Sequence, residues 1–154
     1  MIKFIKAPTF GVELENIPVT GEGNKYYVQY LGGIKAGFPS PAEDFLSERV
    51  SLDERYLAKT ESTFLNKVRS LSMFPEYQIG DIIIVRADYE PQNLDDVVVS
   101  VNNSEYTLKR FNKEKGMLEA LNSEYSNSIK IDDGDEVIIL GVVDALIREK
   151  KKRR

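Results

Sequence analysis

Two residue types in this 154-residue chain could do nucleophilic chemistry together. Ser72 stands in the Ser-Met pair that ends the stretch Phe64-Leu65-Asn66-Lys67-Val68-Arg69-Ser70-Leu71-Ser72-Met73, and Lys109 lies 37 positions later in Tyr106-Thr107-Leu108-Lys109-Arg110-Phe111. A serine hydroxyl is a weak nucleophile until a neighbouring base takes its proton. The chain contains no His and no Cys, so neither a Ser-His-Asp triad nor Cys-His chemistry is possible. The base must then be Lys, Asp or Glu. A lysine qualifies when burial disfavours its ammonium and lets it act as a neutral amine near neutral pH. In an extended strand Thr107, Lys109 and Phe111 share one side, so if the other two face inward, Lys109 does too. The backbone amides of Leu71 and Ser72 could hold the oxyanion that attack creates. Each residue also has an ordinary alternative: a loop serine, and a lysine whose stem covers apolar surface while its head reaches water.

The elements that must position this pair are strands. Thr63–Arg69, Ile82–Arg86, Val97–Val101, Tyr106–Phe111, Met117–Leu121 and Val137–Leu146 are rich in β-branched or aromatic residues. Turn signals separate them at Gly80-Asp81, Asn102-Asn103, Gly116 and Asp133-Gly134-Asp135. Asn102-Asn103-Ser104 predicts a tight hairpin loop, with Lys109 on the returning strand. Many short strands at this spacing predict a mainly β fold, a small antiparallel sheet system or partly open barrel.

Residues 1–36 read as an N-terminal arm, broken by Pro8, Gly11, Pro18, Gly21, Gly23, Gly32 and Gly33, with one strand-like run at Lys25–Leu31. Ser40-Pro41 with Glu43 predicts a capped short helix over about Pro41–Glu48, and Ser51-Leu52-Asp53-Glu54 a second one to about Ala58.

Apolar residues make up 42% of the chain and charged residues 30%, as in an ordinary globular protein. No run approaches the about 18 apolar residues of a membrane span, and the start has no apolar stretch fit for a secretory signal. The lack of Cys agrees with a cytoplasmic location. Residues 148–154 carry six basic residues and one acidic, leaving a net of −9 over residues 1–147. The basic end reads as a solvated tail, and the acidic body argues against direct DNA binding. Without His or Cys the usual zinc sites are gone. Asp132-Asp133-Gly134-Asp135-Glu136 lacks the spacing of an EF-hand loop and, like Asp95-Asp96, reads as a turn. Neither metal nor cofactor is expected.

Taken together, these stretches resemble the UmuD proteins of the LexA/UmuD family of self-cleaving Ser-Lys peptidases. The resemblance rests on Ala36-Gly37-Phe38-Pro39-Ser40-Pro41-Ala42-Glu43-Asp44, Ser72-Met73, Ile79–Val85, Asp95–Val99, Tyr106–Arg110 and Asn122–Ser126, in one order over about residues 34–147. It implies a LexA C-terminal-domain-like β structure over residues 37–147, following the arm 1–36 and preceding the tail 148–154. It further implies Ser72 as nucleophile, Lys109 as general base and Ala36-Gly37 as the cut site. RecA filaments on single-stranded DNA would stimulate the cut. The shortened chain would form a homodimer and join an error-prone Y-family DNA polymerase in the SOS response. Small Ala36 and Gly37 suit close approach of the scissile carbonyl. Two features depart from the family: Ser70 stands where it usually has Gly, which bears on the turn presenting the amides, and the arm is longer than usual.

Other readings compete. The fold could serve as a dimeric binding module for a polymerase or regulatory partner, with Ser70 spoiling the chemistry. Residues 1–36 are too short and irregular for a three-helix DNA-binding domain, which disfavours a LexA-like repressor. A signal-peptidase-like enzyme would need a membrane anchor.

Overall fold

The computed structural model describes residues 9–19, 23, 28–29 and 49–150. The predicted helix over 41–48 and the Ala36-Gly37 dipeptide lie outside these residues. Two compact units are present, one from residues 1–19 with 61–154, the other from residues 20–60.

In the smaller unit, β2 (Val28–Gln29) pairs antiparallel with β3 (Arg49–Val50). A five-residue helix, α1 (Leu52–Tyr56), follows. Ser51 caps it as its sequence predicts, its hydroxyl accepting from the Glu54 N–H at 3.4 Å. The helix ends two residues short of the expected Ala58.

The larger unit is a curled antiparallel sheet in the order β1-β4-β5-β10-β6-β7-β8-β9. Its strands are β1 (Leu14–Ile17), β4 (Thr63–Val68), β5 (Ile82–Arg86), β6 (Asp96–Val101), β7 (Thr107–Asn112), β8 (Met117–Glu119), β9 (Ile129–Lys130) and β10 (Val137–Ile147). This is the mainly β, LexA C-terminal-domain-like fold expected from the sequence. Six of the eight strands match predicted runs to within one or two residues at each end. The other two, β1 and β9, are short and carry polar residues, so they lack the pattern that marks the rest.

The eleven-residue β10 lies centrally, its first half against β6 and its second against β5. Its register shifts between Ile139 and Gly141 and again between Val143 and Ala145. Such irregularities bend a strand and sharpen its twist, which lets one strand serve two neighbours on a curling sheet. Gly141 lies so close to β5 that a Cβ there would come within 2.6 Å of the Arg86 carbonyl oxygen. Asn102 and Asn103 both have positive φ, at 51° and 59°, and the Ser104 N–H donates to the Val101 carbonyl at 3.0 Å, which forms the expected tight turn over Asn102-Asn103-Ser104 between β6 and β7.

Both faces of the sheet are covered. Leu14, Val68, Met73, Tyr77, Ile83, Val85, Val98, Tyr106, Leu108 and Leu140 form one buried cluster. Val97, Val99, Val101, Leu118 and Val142 form another, with Phe111 packed against it. Leu108 thus faces one core and Phe111 the other. The simple division of β7 into an inner and an outer side does not hold, since both sides are buried.

Candidate active site

Ser72 stands just beyond β4, in a tight loop running to β5. Gly80 donates its N–H to the Val68 carbonyl and Val68 donates to that of Asp81, each at 2.8 Å, which closes the loop. Within it, Phe74 N–H donates to Leu71 O at 3.1 Å and Tyr77 N–H to Met73 O at 3.0 Å. Met73 and Tyr77 drop into the core, which fixes the turn from below. Ser72 itself is buried, with 2% of its surface exposed.

Four hydrogen bonds set the serine's geometry. Ser70 Oγ donates to Ser72 Oγ at 3.1 Å. The same Ser70 oxygen accepts the Ser72 N–H at 3.2 Å. From across the loop, Asn122 donates its side-chain amide to Leu71 O at 2.9 Å and its backbone N–H to Ser72 O at 3.0 Å. A trans peptide places C=O and N–H on opposite sides, so Asn122 turns the Leu71–Ser72 amide away from itself. Ser70, which departs from the family's usual glycine, takes up that amide, one of the two assigned to the oxyanion.

Lys109 lies on β7 opposite Val97 of β6 and is 1% exposed. Its Nζ donates to Thr107 Oγ1 at 3.0 Å, to Leu108 O at 3.2 Å and to Glu13 Oε2 at 3.4 Å. An ammonium has three N–H donors, and all three are thus engaged. Burial pushes the Lys109 pKa down, while the Glu13 carboxylate opposes that shift. Glu13 is itself held by Thr107 Oγ1 and by Asn127 Nδ2, the latter at 2.9 Å.

The structure therefore places Ser72 and Lys109 in well-defined buried settings, each bonded to other partners. Ser72 pairs with Ser70, and Lys109 with Glu13, Thr107 and a backbone carbonyl. Met73 and Leu108, their sequence neighbours, meet in one core cluster. Glu13, Thr107, Asn122 and Asn127 were not assigned roles from sequence. Thr107 and Asn122 fall within the quoted family stretches, a usable signal, whereas Glu13 reaches Lys109 across 96 positions and carries no local mark.

Beside this region Arg110 binds Asp96 through Nε at 2.8 Å and Nη2 at 3.0 Å, and Glu76 through Nη2 at 2.5 Å. Tyr77 donates its hydroxyl to Asp96 at 2.7 Å, and burial pushes its pKa up. Asp96 is thus tied into a network, not free for acid/base work. Asp132–Asp135 forms a turn about Gly134 at φ 93°, with Asp132 N–H donating to Asp135 at 2.8 Å. Among the described residues no group of three or more acidic side chains could hold a metal ion. Nor is any described helix long and apolar enough to cross a membrane.

Comparison with known proteins adds a family. Residues 29–144 match a family described as Peptidase S24-like. The LexA repressor of Thermotoga petrophila is 30% identical over 123 residues, which cover 79% of this chain and 62% of that protein. LexA repressor 1 of Nocardia farcinica is 34% identical over 124 residues, covering 79% of this chain and 55% of the relative. Protein ImpA of Salmonella typhimurium is 27% identical over 141 residues, covering 89% of this chain and 95% of ImpA. The chain thus spans little more than half the length of these LexA repressors, but nearly all of ImpA.

Proposed function

We propose, because this chain belongs to the Peptidase S24-like family, that it is a self-cleaving serine peptidase of the LexA/UmuD type acting in SOS mutagenesis. The observation that carries this reading is the burial of Lys109, whose pKa is pushed down in a chain without histidine. Burying an ammonium is costly, and the cost is reduced when the group works as a neutral amine.

In the proposed reaction the neutral Lys109 Nζ takes the proton of Ser72 Oγ as that oxygen bonds to the Ala36 carbonyl carbon. The resulting oxyanion is held by the amides of Leu71 and Ser72. Collapse breaks the Ala36–Gly37 C–N bond, and the lysine ammonium returns the proton to the departing Gly37 amine. Water, deprotonated by Lys109, then hydrolyses the acyl-serine and releases residues 1–36 with a free carboxylate. An intramolecular substrate brings a high effective concentration. The reaction stays slow until a partner favours the cleavable conformation, the role assigned to a RecA filament on single-stranded DNA. The shortened chain, from Gly37 onward, would act as a cytoplasmic homodimer with a Y-family polymerase.

The test is incubation of the purified chain with RecA filaments, or alone at alkaline pH, followed by intact-mass analysis. A new N-terminus at Gly37 is expected, absent in Ser72→Ala and Lys109→Ala. An intact wild type, or cleavage persisting in both variants, would reject the reading. Ser70 favours a second reading, a dimeric binding module that does not cut, because its hydroxyl engages both Oγ and N–H of Ser72. That reading predicts dimers and partner binding with no cleavage under either condition.

A further inference from the structure

An extended peptide binds a sheet by adding a strand to an open edge. The strand leading to Ser72 is β4, and one of its edges is taken by β5. A substrate aligned with the serine must therefore use the other edge. That edge carries β1, in the register Leu14↔Val68, Glu15↔Lys67, Asn16↔Asn66 and Ile17↔Leu65. The pairing continues toward the serine, where Arg69 N–H donates to Glu13 O at 2.8 Å. The same segment then reaches the lysine's strand. Tyr106 N–H donates to Thr9 O at 2.9 Å, and the Phe10 ring lies 5.8 Å from that of Tyr106. Leu14 is buried in the core cluster, and the Glu13 carboxylate binds Lys109, Thr107 and Asn127. Backbone pairing, an apolar anchor and a charge contact thus come from one stretch of chain.

The geometry points to residues 9–17 as a built-in occupant of the substrate groove, holding the open edge of β4 and the Lys109 side chain until it withdraws. Cleavage therefore requires this segment to leave before Ala36-Gly37 can take its place. The inference rests on the peptidase reading for its consequence, but not for the occupancy itself.

The chain has no cysteine, so a cross-link can be placed without interference. Asn16 and Asn66 face each other. The Arg69–Glu13 bond makes theirs a non-hydrogen-bonded pair, with a Cα separation of about 4.5 Å that a disulfide can span. Asn66 is also fully buried with both amide atoms unpartnered, so its replacement breaks no bond. In the full-length Asn16→Cys/Asn66→Cys variant, the disulfide should form on oxidation. Cleavage at Gly37 should then fall at least tenfold and return with dithiothreitol. A disulfide that does not form, or an oxidised protein that cleaves as fast as the reduced one, would overturn the inference. Should the parent fail to cleave at all, the peptidase reading falls and hydrogen exchange decides the occupancy. The Arg69 and Tyr106 amides should be protected in the parent and exchange at least tenfold faster in Glu13→Lys, where like charges meet. Unprotected amides in the parent, or equal rates in the variant, would overturn it.

Discussion

At the scale of single residues, the proposed chemistry depends on which hydrogen bonds Ser72 and Lys109 already make. Ser70 Oγ holds both the hydroxyl and the N–H of Ser72, so an oxyanion must displace it from the amide. Ser70→Gly removes that competitor. If the lost bond has the usual net worth of about 1 kcal/mol, cleavage should accelerate by about fivefold. A slower variant would mean that Ser70 holds Ser72 in place. Lys109 poses the complementary problem, since burial lowers its pKa and Glu13 opposes the shift. Groups facing its Nζ are the Glu13 carboxylate, the Thr107 hydroxyl and the Leu108 carbonyl. Removing the one negative charge among them should lower the lysine pKa further. The acid limb of the cleavage-rate profile should therefore shift to lower pH in Glu13→Gln, as measured by the rate of Gly37 appearance across a pH series. Sequence made Ser72 and Lys109 candidates because the missing histidine narrows the choice of base. It left Glu13 invisible, because a contact across 96 positions exists only once the sheet has formed.

At the scale of elements, β10 shows how the sheet curls. Its register shifts allow it to pair with β6 and then β5, and Gly141 sits where the strand presses on Arg86. Gly141→Ala would place a methyl carbon 2.6 Å from a backbone oxygen. Backbone cannot yield as a flexible side chain can. The variant should lose about 1–3 kcal/mol, the usual cost of overpacking, readable as a lower urea midpoint with unchanged slope. Strands such as β5, β6 and β10 were legible because Val and Ile runs are rare outside strands. β1 was not, because Leu-Glu-Asn-Ile reads as a polar loop until the edge of β4 gives it a partner. The two Asn residues at the β6–β7 turn were legible for a local reason, their tolerance of positive φ.

At the scale of the whole molecule, charge ties one end of the chain to its core. The sequence reading placed Arg148 in a solvated tail. Instead its guanidinium grips the buried Asp81 through Nε at 2.8 Å and Nη2 at 2.6 Å. The Arg148 bonds are the main reason the Asp81 carboxyl is held below its ordinary pKa. A carboxylate with a depressed folded-state pKa gives stability that is complete above its unfolded value, about 4. That contribution disappears as pH falls through the lower, folded-state pKa. Arg148→Gln should therefore shift acid unfolding to higher pH, as followed by circular dichroism, with little change between two preparations compared only in their elution at neutral pH. Composition revealed the run of basic residues but not that its first member closes a loop behind the candidate nucleophile.

The outer strand β1 has a further consequence for what proteolysis accomplishes. A cut between Ala36 and Gly37 would be made while β1 is withdrawn, and the severed fragment could afterwards re-form the four residue pairs between β1 and β4. The event that changes the protein's surface is then the lasting loss of β1, which the tether no longer reverses, and not bond scission itself. Once the tether is gone, rebinding depends on peptide concentration instead of chain geometry. Fragment 1–36 should co-elute with the remainder at high concentration, separate on dilution, and part completely in denaturant. Its departure uncovers the edge of β4, a row of unpaired backbone groups open to any extended strand. The cut would act as a timer, with the loss of a strand as the signal.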